Sequence, residues 1–449
     1  MRVLLINPPF TGSYNVCPPL GLGYVGSALS KEGFSTAVLD CALGICDLQT
    51  VLRFVRPDWV GITGMTAQYN SMKDLAKISK DFGAKVVFGG IHSSALPEFV
   101  IQDCPDVDYV IKGEGEIAFP NLVKGIIGPG IFYRGKDKVE GSNPEYITDL
   151  DTLVSPWCTL DTFRYKDTKV HGISVRKGPA ISVISSRGCP YSCSFCGASQ
   201  VQGKKLRLRS SKNFLDELDF LRSQGVKEIQ ILDDNFTFNE DHASTICQGM
   251  LDRGLKLAWT LPNGIRADRV TPKLLKLMKE AGCYYFGLGI ESGSQRVLNT
   301  INKSLDLNRV KQTVELSEKL GFIVQGFFMV GFPKETQSDL DLTRRVALSL
   351  PLDRMSINPV IPMPGSSLYQ EYINSGLVIP NNQDWSRFNR LDYRSSNPNY
   401  TSGFVRSLNL RFYLNPSRLL KLVSKVRSLS EVKGLFFGSR ILLNSVRGK

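Results

Sequence analysis

The sequence predicts an α/β protein: a doubly wound, Rossmann-like parallel sheet, then an open barrel of six β/α units, then a helical basic region. Three observations support this prediction. Short apolar runs alternate with helical patterns up to about residue 125, and the alternation resumes near residue 180. The last 45 residues contain ten Lys or Arg and one acid. We therefore divide the chain into residues 1–125, 126–180, 181–365 and 366–449.

In the first region, glycine-rich strand ends alternate with helical patterns. The predicted strands are RVLLINPP, STAVLDC, WVGITGM, AKVVFGG and YVIKGEG, and a first helix, LGLGYVGSALSKEG, ends at Gly33. This alternation is typical of a parallel sheet with helices on both faces, in which ligands bind beyond the carboxyl ends of the strands. Residues 126–180 have no regular pattern, and we predict a linker there.

The region from residue 181 contains six predicted strands separated by helical patterns: AISVISS, KEIQILD, KLAWTL, YYFGLGI, FIVQGFFMV and RMSINPV. The six units occupy about 180 residues, whereas a closed eight-stranded barrel takes about 250. The sequence therefore predicts an open, partial (β/α)6 barrel whose active site lies where the strands end.

Bulk composition excludes several classes of protein. No run of about 18 apolar residues is present, so no membrane-spanning helix is expected. Ten cysteines among 449 residues, with no export signal in MRVLLINPPF, predict reduced thiols and a cytoplasmic location. Three histidines are too few to favour a metal site built from imidazoles. No basic platform with interleaved aromatic residues is visible, so nucleic acid is not an expected partner.

Three cysteines, Cys189, Cys193 and Cys196, lie within eight positions in the spacing C-x3-C-x2-C. They follow the first predicted barrel strand, at the end where barrel active sites form. A structural zinc site needs four protein ligands, and the nearest further cysteine is Cys158, across the linker. The spacing favours an iron–sulfur cubane that leaves one iron without a protein ligand. A zinc site completed by a distant residue is the alternative.

The loop SSRGCPYSCSFCGAS, with Phe195 just before the last cysteine, resembles the cluster motif of the radical S-adenosyl-L-methionine (SAM) superfamily. The resemblance implies a [4Fe-4S] cluster, bound by the three cysteines, whose free iron chelates SAM. It also implies that one electron cleaves SAM and that the resulting 5′-deoxyadenosyl radical abstracts a hydrogen atom from the substrate. No catalytic residue is implied beyond the cluster ligands.

Other strand ends resemble SAM-binding motifs of the same superfamily: ILDDNFT, LPNGIRAD, GLGIESGS and MVGFPKET. The SAM contacts that the resemblance implies are Phe195, Asp233, Asp234, Asn235, Asn263, Arg266, Glu291, Ser292 and Val330. Most have a structural alternative: a helix N-cap for the two aspartates, an internal salt bridge for Glu291, a surface position for Arg266 and backbone packing for Val330. The segment RLRS, which begins at Arg207, recurs in this branch without an assigned role.

The chain up to about residue 430 resembles the branch of the superfamily that carries a cobalamin (B12)-binding domain, through NPPF, PPLGLGYV, GITGMT, GGIHSSALPE and GEGE. The cobalamin contacts implied by this resemblance are Asn7, Pro8, Pro9, Leu20, Gly21, Thr63, Gly64, Gly89, Gly90, His92 and Glu114. One departure matters, because the loop NPPFTGS lacks the Asp-x-His-x-x-Gly histidine that binds cobalt in many such domains. A doubly wound domain that binds no corrinoid is the alternative.

The resemblance implies an oxygen-sensitive enzyme for cobalamin-dependent C-methylation of a small-molecule or lipid-like substrate, with a reductase, flavodoxin or ferredoxin as electron donor. A radical SAM cyclase or rearrangement enzyme is the first alternative. A methylthiotransferase is the second, since Cys17, Cys41, Cys46 and Cys104 could bind a second cluster. An iron–sulfur electron-transfer or sensor protein is the third.

The basic tail, residues 405–449, has two interpretations. In NPSRLLKLVSKVRSL, apolar side chains such as Leu419, Leu420 and Val423 share a helical face that the cations avoid, and GLFFGSRILLNSVRGK adds further apolar residues. Basic amphipathic segments bind anionic membranes, which predicts a peripheral membrane contact. A helix that covers the open side of the barrel, with its cations in solvent, is the interpretation that we favour slightly.

Overall fold

The computed structural model describes residues 1–9, 17–44, 47–165, 175–388, 398–428 and 431–432. The N-terminal domain is a seven-stranded sheet in the order β2-β1-β3-β4-β5-β6-β7. Its strands are β1 (Arg2–Asn7), β2 (Ser35–Asp40), β3 (Trp59–Thr63), β4 (Lys85–Gly89), β5 (Tyr109–Ile111), β6 (Ile131–Arg134) and β7 (Val139–Glu140). Its helices are α1 (Leu20–Lys31), α2 (Leu48–Val55), α3 (Tyr69–Asp81), α4 (Gly90–Ala95), α5 (Pro97–Asp103) and α6 (Gly115–Val123).

The doubly wound prediction is confirmed: β1 to β5 are all parallel, and β1, from which the order reverses, is buried on both faces from Val3 to Ile6. The sheet continues beyond β5, because β6 and β7 add antiparallel strands from the segment that we predicted as a linker. Strands of four and two residues are too short to produce a recognisable alternation. Three short 3-10 turns follow, at Leu150–Thr152, Pro156–Cys158 and Thr162–Tyr165.

The second domain is an open barrel whose six parallel strands have the order β15-β14-β13-β12-β11-β8, which confirms the six predicted units. Its strands are β8 (Ala180–Val183), β11 (Glu228–Ile231), β12 (Ala258–Ile265), β13 (Cys283–Glu291), β14 (Ile323–Val330) and β15 (Arg354–Pro359). A separate antiparallel ladder joins β9 (Ser186–Arg187) to β10 (Arg207–Leu208). The helices are α7 (Ser199–Gln202), α8 (Ser211–Ser223), α9 (Glu240–Asp252), α10 (Pro272–Glu280), α11 (Gln295–Thr300), α12 (Leu307–Lys319) and α13 (Gln337–Ser349).

The C-terminal region is helical, as predicted, with α14 (Ser367–Asn374), α15 (Pro398–Tyr413) and α16 (Pro416–Ser424). The cations of α16 face the barrel. Arg418 donates to three backbone carbonyl groups between residues 348 and 352, and Lys425 lies 2.7 Å from the Asp353 carboxylate. Three apolar side chains of α16 point outward instead: Leu419, Leu420 and Val423 are 44–73% exposed, whereas Leu422 is buried. The prediction that the cations are in solvent is therefore wrong for this helix, and the segment from Leu435 onward lies outside the described residues.

Two further predictions concern the chain as a whole. Among the described helices, none has the length and apolar content needed to cross a bilayer. Cys41 is disulfide-bonded, so the prediction of reduced thiols is wrong for this cysteine.

Candidate functional site

The β9–β10 ladder pairs the chain just before the three-cysteine loop with the chain just after it. Residues 188–206 therefore form a loop whose two ends are held together. Gly188 opens it with a φ of 91°, and a Cβ there would lie 2.3 Å from the backbone oxygen of Lys205. Only glycine tolerates both this backbone conformation and this close approach. The Cys189 amide donates to the Gly203 carbonyl at 3.4 Å, which ties the two ends of the loop together.

The loop is also fixed at its centre. The Ser194 amide donates to the Ile301 carbonyl at 2.9 Å, and the Ser194 carbonyl accepts from the Leu368 amide at 2.9 Å. Phe195 packs against Phe332, with ring centroids 6.0 Å apart, so this predicted SAM contact supports the loop from the MVGFPKET segment. The barrel and the C-terminal region thus hold the same turn of the loop.

Cys189 and Cys193 are half-buried residues. Cys196 is exposed as a whole residue, but its thiol is enclosed enough for burial to raise its pKa to about 11. Burial raises the pKa of Cys193, and the nearby ammonium of Lys303 opposes that effect. Among the described residues, no group of three or more Cys, His, Asp or Glu side chains is close enough to hold a single metal ion. A cubane makes a different demand, because each thiolate binds its own iron atom and the sulfurs need only surround the cluster.

Asp233 and Asp234 follow β11 and have different roles beside the loop: Asp233 holds the backbone before the cysteines, and Asp234 has an oxygen that could bind a ligand. Asp233 is buried and accepts three hydrogen bonds, from the Ser185 amide at 2.7 Å and from the Ser185 and Ser186 hydroxyls at 2.6 Å each. It therefore fixes the chain just before the cysteines, and this structure leaves it no free oxygen for SAM. Asp234 Oδ2 is buried and has no hydrogen-bond partner among the residues that the structure describes, and burial, followed by the Asp233 charge, raises the pKa of Asp234 to about 6.

The predicted N-cap role of the two aspartates is wrong, because Asn239 caps α9 by accepting from the His242 amide. Asp234 lies close enough to Cys189 and Cys196 for its charge to raise their pKa values, a smaller effect than that of burial. Asn235 is buried, and its Oδ1 accepts a long hydrogen bond of 3.5 Å from the Thr237 hydroxyl. The carboxylate of Asp234 is therefore the polar group of this strand end that remains available.

Glu291 ends β13 in an ion pair with Lys303, a residue that the sequence analysis missed. Lys303 Nζ lies 3.0 Å from Glu291 Oε1, and both side chains are about nine-tenths buried. Glu291 has a φ of 65°, and the two neighbours of Lys303 have φ values of 54° and 46°, so three non-glycine residues adopt the left-handed conformation around this pair. A Cβ at Gly289 would fall 2.7 Å from Glu291 Oε1, so glycine leaves the space that the pair occupies.

Arg266 is buried rather than on the surface, so that alternative is wrong. Its guanidinium lies 3.9 Å from the ring centroid of Tyr191, which is a residue of the cysteine loop. The guanidinium also donates to the Asp268 carboxylate through two contacts of 3.0 Å. Arg266 Nη1 is buried without a partner among the described residues. Asn263 is exposed and donates to the Leu232 carbonyl at 2.7 Å.

Two further predicted SAM contacts are embedded in the barrel. The Ser292 hydroxyl lies 3.1 Å from the Thr343 hydroxyl and accepts from the Ser294 amide at 3.1 Å. Val330 is fully buried in the hydrophobic core. The Val330 backbone carbonyl accepts from Val360, so this position supports β15 rather than presenting a side chain to a ligand.

In the N-terminal domain, the predicted cobalamin contacts gather at the carboxyl ends of β1, β3 and β4. Asn7 donates to the Asp40 carboxylate at 2.7 Å, and the Pro8 carbonyl accepts from Gln68 at 3.0 Å. Pro9 is exposed. Leu20 is buried at the start of α1. Gly21 beside it is exposed, and a Cβ there would meet nothing within 4 Å.

The glycines at the ends of β3 and β4 differ in how much space surrounds them. A Cβ at Gly89 would meet open space, whereas a Cβ at Gly90, whose φ is 86°, would lie only 2.6–2.8 Å from Thr63 Oγ1 and the backbone of Gly64. His92 follows and is fully buried. Neither of its ring nitrogens has a hydrogen-bond partner in the described part of the chain, and burial lowers the pKa of His92 to about 3.

Glu114 lies away from these strand ends, in a contact between the domains. It accepts from Arg187 at 2.9 Å, from Arg207 at 2.7 and 2.8 Å, and from the Ile147 amide at 2.8 Å. Glu116 accepts from Arg187 at 2.6 Å. With both carboxylate oxygens used and the side chain buried, this structure gives Glu114 a role other than the predicted cobalamin contact.

The same network gives RLRS a structural role. Arg207 binds Glu114, and Arg209 pairs with the buried carboxylate of Glu217. Ser210 is the N-cap of α8. The segment thus joins the barrel to the N-terminal domain and starts the first barrel helix.

The four cysteines that could bind a second cluster are not presented as a set of free thiols. Cys41 is disulfide-bonded, Cys104 is buried, and Cys46 lies outside the described residues. Cys17 is half-buried, and burial raises the pKa of its thiol to about 11.

Comparison with known proteins places two family domains on the chain. Residues 183–347 match the family model of the radical SAM superfamily, and residues 10–123 match the model of the B12 binding domain. An uncharacterized methyltransferase of Pyrococcus horikoshii is 32% identical over 444 residues, which cover 94% of each chain. Cytidylyl-2-hydroxyethylphosphonate methyltransferase of Streptomyces wedmorensis is 29% identical and covers 84% of this chain and 83% of its own. Anaerobic magnesium-protoporphyrin IX monomethyl ester cyclase of Rubrivivax gelatinosus is 28% identical, covering 83% and 70%.

Solved structures share the order of the domains. The radical SAM methyltransferase TsrM of Kitasatospora setae, with cobalamin and a [4Fe-4S] cluster bound, superimposes with a TM-score of 0.70 at 19% identity, over 83% of this chain and 75% of its own. The cobalamin-dependent radical enzyme OxsB superimposes with a TM-score of 0.72 at 18% identity, over 99% and 71%. At these identities the likeness shows the fold.

Proposed function

Because the chain belongs to the radical SAM superfamily, in its branch with an N-terminal B12-binding domain, we propose that it is a cobalamin-dependent enzyme that methylates an unactivated carbon of a small-molecule or lipid-like substrate. The observation that supports this most directly is the loop of three thiols beside a carboxylate oxygen of Asp234 and a guanidinium nitrogen of Arg266, which are buried and have no partner in the described part of the chain. When bound, the cluster, SAM and cobalamin would supply the electron, the radical and the methyl group.

The residues of the loop fit a cluster with one open iron. Cys189, Cys193 and Cys196 would bind three irons, and the ladder at the base of the loop together with the Ser194 contacts holds them in place. No fourth cysteine lies in the loop, and Cys158 is an exposed residue of the preceding segment. The electron would come from a reductase, a flavodoxin or a ferredoxin.

The polar groups beside the loop fit the amino-acid end of SAM. A buried carboxylate oxygen without a partner is costly unless a cation or donor completes it, and the same holds for a buried guanidinium nitrogen. The ammonium and carboxylate of SAM have the complementary charges, so Asp234 and Arg266 would bind them. The Glu291–Lys303 pair adds a second carboxylate and ammonium near Cys193, and we assign it to orienting the same part of SAM.

The strand ends of the N-terminal domain fit a flat ligand. Pro9, Gly21 and Gly89 offer open surface, while Gly90 keeps β3 and β4 close together. His92, neutral because of its burial, has two ring nitrogens that could bind the nucleotide tail of a corrinoid. No histidine occurs in NPPFTGS, so we propose cobalamin without a histidine ligand from that loop.

A peripheral contact with an anionic membrane fits the tail. Leu414, Leu419, Leu420 and Val423 are 44–73% exposed in and beside α16, and residues 433–449 contain four cations and no acid. Exposed apolar side chains next to excess positive charge are what anionic bilayers bind. Such a contact would favour a lipid-like substrate.

Anaerobic purification and reconstitution test the proposal. We expect equal amounts of iron and sulfide, cobalt equimolar with the chain, and production of both S-adenosylhomocysteine and 5′-deoxyadenosine from SAM under dithionite. Cys193→Ala should lose the cluster and all SAM cleavage, whereas the matched control Cys158→Ala should keep both. Cleavage that persists in Cys193→Ala would contradict the assignment of the cluster site.

The products of SAM also separate the alternatives. A cyclase or rearrangement enzyme, which the Rubrivivax gelatinosus relative makes the first rival, would yield 5′-deoxyadenosine without S-adenosylhomocysteine. A methylthiotransferase would need a second cluster and hence about twice the iron. An electron-transfer or sensor protein would hold a cluster that SAM does not perturb and would not cleave SAM.

A further inference from the structure

Two arginines lie directly opposite each other at the base of the cysteine loop. Arg187 of β9 and Arg207 of β10 are cross-strand partners in the two-residue ladder that closes residues 188–206. Like charges directly opposite on a ladder destabilise it. Both side chains are about 95% buried, so solvent does not screen the repulsion. The ladder therefore needs compensating charges from elsewhere.

Those charges come from the other domain. Glu114 and Glu116, at the start of α6, are both 7% exposed and accept from the two arginines at 2.6–2.9 Å. Glu114 lies between the guanidinium groups and accepts from both. The set contains two positive and two negative charges, and each of its ion pairs crosses from the barrel to the N-terminal domain.

The position of the arginines connects this network to the thiols. Arg187 precedes Cys189 by two residues. At the other end of the loop, Arg207 donates to the Gln202 carbonyl at 2.6 Å. The next carbonyl, that of Gly203, accepts from the Cys189 amide. Both ends of the loop are thus held by residues that bind Glu114.

We infer that Glu114 and Glu116 are positioning residues that keep the cysteine loop of the barrel closed. The N-terminal domain, in addition to any ligand that it binds, completes the cluster site of its neighbour. The importance of the loop for catalysis rests on the proposed function, but its closure by these carboxylates does not.

Limited proteolysis of the full, cluster-free chain tests the inference. Lys204 and Lys205 are exposed in the loop, and Lys311, in the middle of α12, reports general unfolding. We expect trypsin to cut after Lys204 and Lys205, relative to Lys311, at least about ten-fold faster in Glu114→Gln, because unpaired buried charge opens the ladder. Glu116→Gln, which removes one contact, should show a smaller increase in the same ratio.

Two variants provide controls. Glu32→Gln removes an exposed ion pair with Lys124 in the same domain and should leave the ratio unchanged. In Glu114→Gln/Arg207→Gln one arginine and one carboxylate remain, so charge balance returns and the ratio should fall back toward that of the wild type. A loop-to-Lys311 ratio that stays at the wild-type value in both Glu114→Gln and Glu116→Gln would overturn the inference.

The rate at which a chelator removes iron from the reconstituted chain gives a second readout. We expect the first-order rate to rise at least about ten-fold in Glu114→Gln and to recover in the double variant. Failure of the proposed function would appear separately, as a wild-type chain that binds no cluster, while the proteolysis ratio would still decide the inference.

Discussion

Replacing Lys303 with methionine should strongly destabilise the barrel. The substitution removes the positive half of a buried ion pair, 3.0 Å in length, and leaves the Glu291 carboxylate about nine-tenths buried without its partner. Breaking a buried pair in this way costs about 3–5 kcal/mol. For a domain of about 150–250 residues, that free energy corresponds to a decrease of about 6–20 °C in the unfolding midpoint.

The pKa of Lys303 determines how the stability contributed by the wild-type pair varies with pH. In the wild type, burial alone would lower the pKa of Lys303, but the Glu291 carboxylate raises it above the usual value. A raised lysine pKa contributes stability that is complete below the unfolded value near 10.4 and is lost only as the pH rises through the folded value. The stability that Lys303 contributes in the wild type is therefore constant between about pH 5 and 8, so Lys303→Met should lower the unfolding midpoint throughout this range.

Thermal unfolding of the cluster-free chain, followed by circular dichroism at both ends of this pH range, measures these effects. Glu291→Gln/Lys303→Met, in which neither charge remains, should recover most of the loss. Lys311→Met removes an exposed pair with Glu315 and should change the midpoint little. A decrease in Lys303→Met no larger than that in Lys311→Met, or a double variant as unstable as the single one, would refute the electrostatic reasoning.

Three further predictions follow from single side chains. Because burial lowers the pKa of His92 to about 3 while the unfolded value is near 6.5, acidification from about pH 6.5 to 4.5 should cost about 2–3 kcal/mol through this group; His92→Phe should lose correspondingly less stability in urea titrations over that range. Asp233→Asn should impair retention of the cluster on gel filtration, since Asp233 accepts three hydrogen bonds from the residues before the loop; unchanged iron content would contradict this. Leu420→Glu should reduce co-sedimentation with anionic vesicles several-fold, and binding that is absent in the wild type or insensitive to salt would argue against the membrane contact.

Regular patterning explains which parts of the fold the sequence could predict. The six barrel strands and the first five strands of the N-terminal sheet are separated by helices with clear apolar periodicity, and all are present. The four strands that were not predicted, β6, β7, β9 and β10, have two to four residues each. So short a segment carries no period, and its pairing depends on contacts with distant parts of the chain.

The candidate site shows the same division. The cysteines are recognisable because their spacing is local, and the strand-end motifs are recognisable because they follow apolar strands. Lys303 had no such signal: it lies twelve residues after Glu291, in a loop whose left-handed backbone at Asn302 and Ser304 uses residues other than glycine. A buried ion pair between a strand end and a separate loop becomes visible only when the fold brings its members together.

Glu114 shows why a motif can be recognised correctly and its residue still be assigned to the wrong partner. A glutamate at the end of a strand in a ligand-binding sheet is expected to face the ligand, because that edge is where ligands bind. In this chain β5 lies four strands from β2, beyond β4, and its end is covered by the barrel, so the carboxylate meets two arginines instead. The contact has a consequence for engineering: a barrel expressed without residues 1–125 would place Arg187 and Arg207 opposite each other without compensation. We therefore expect that truncated chain to bind iron poorly, even though it would contain all three cysteines of the loop.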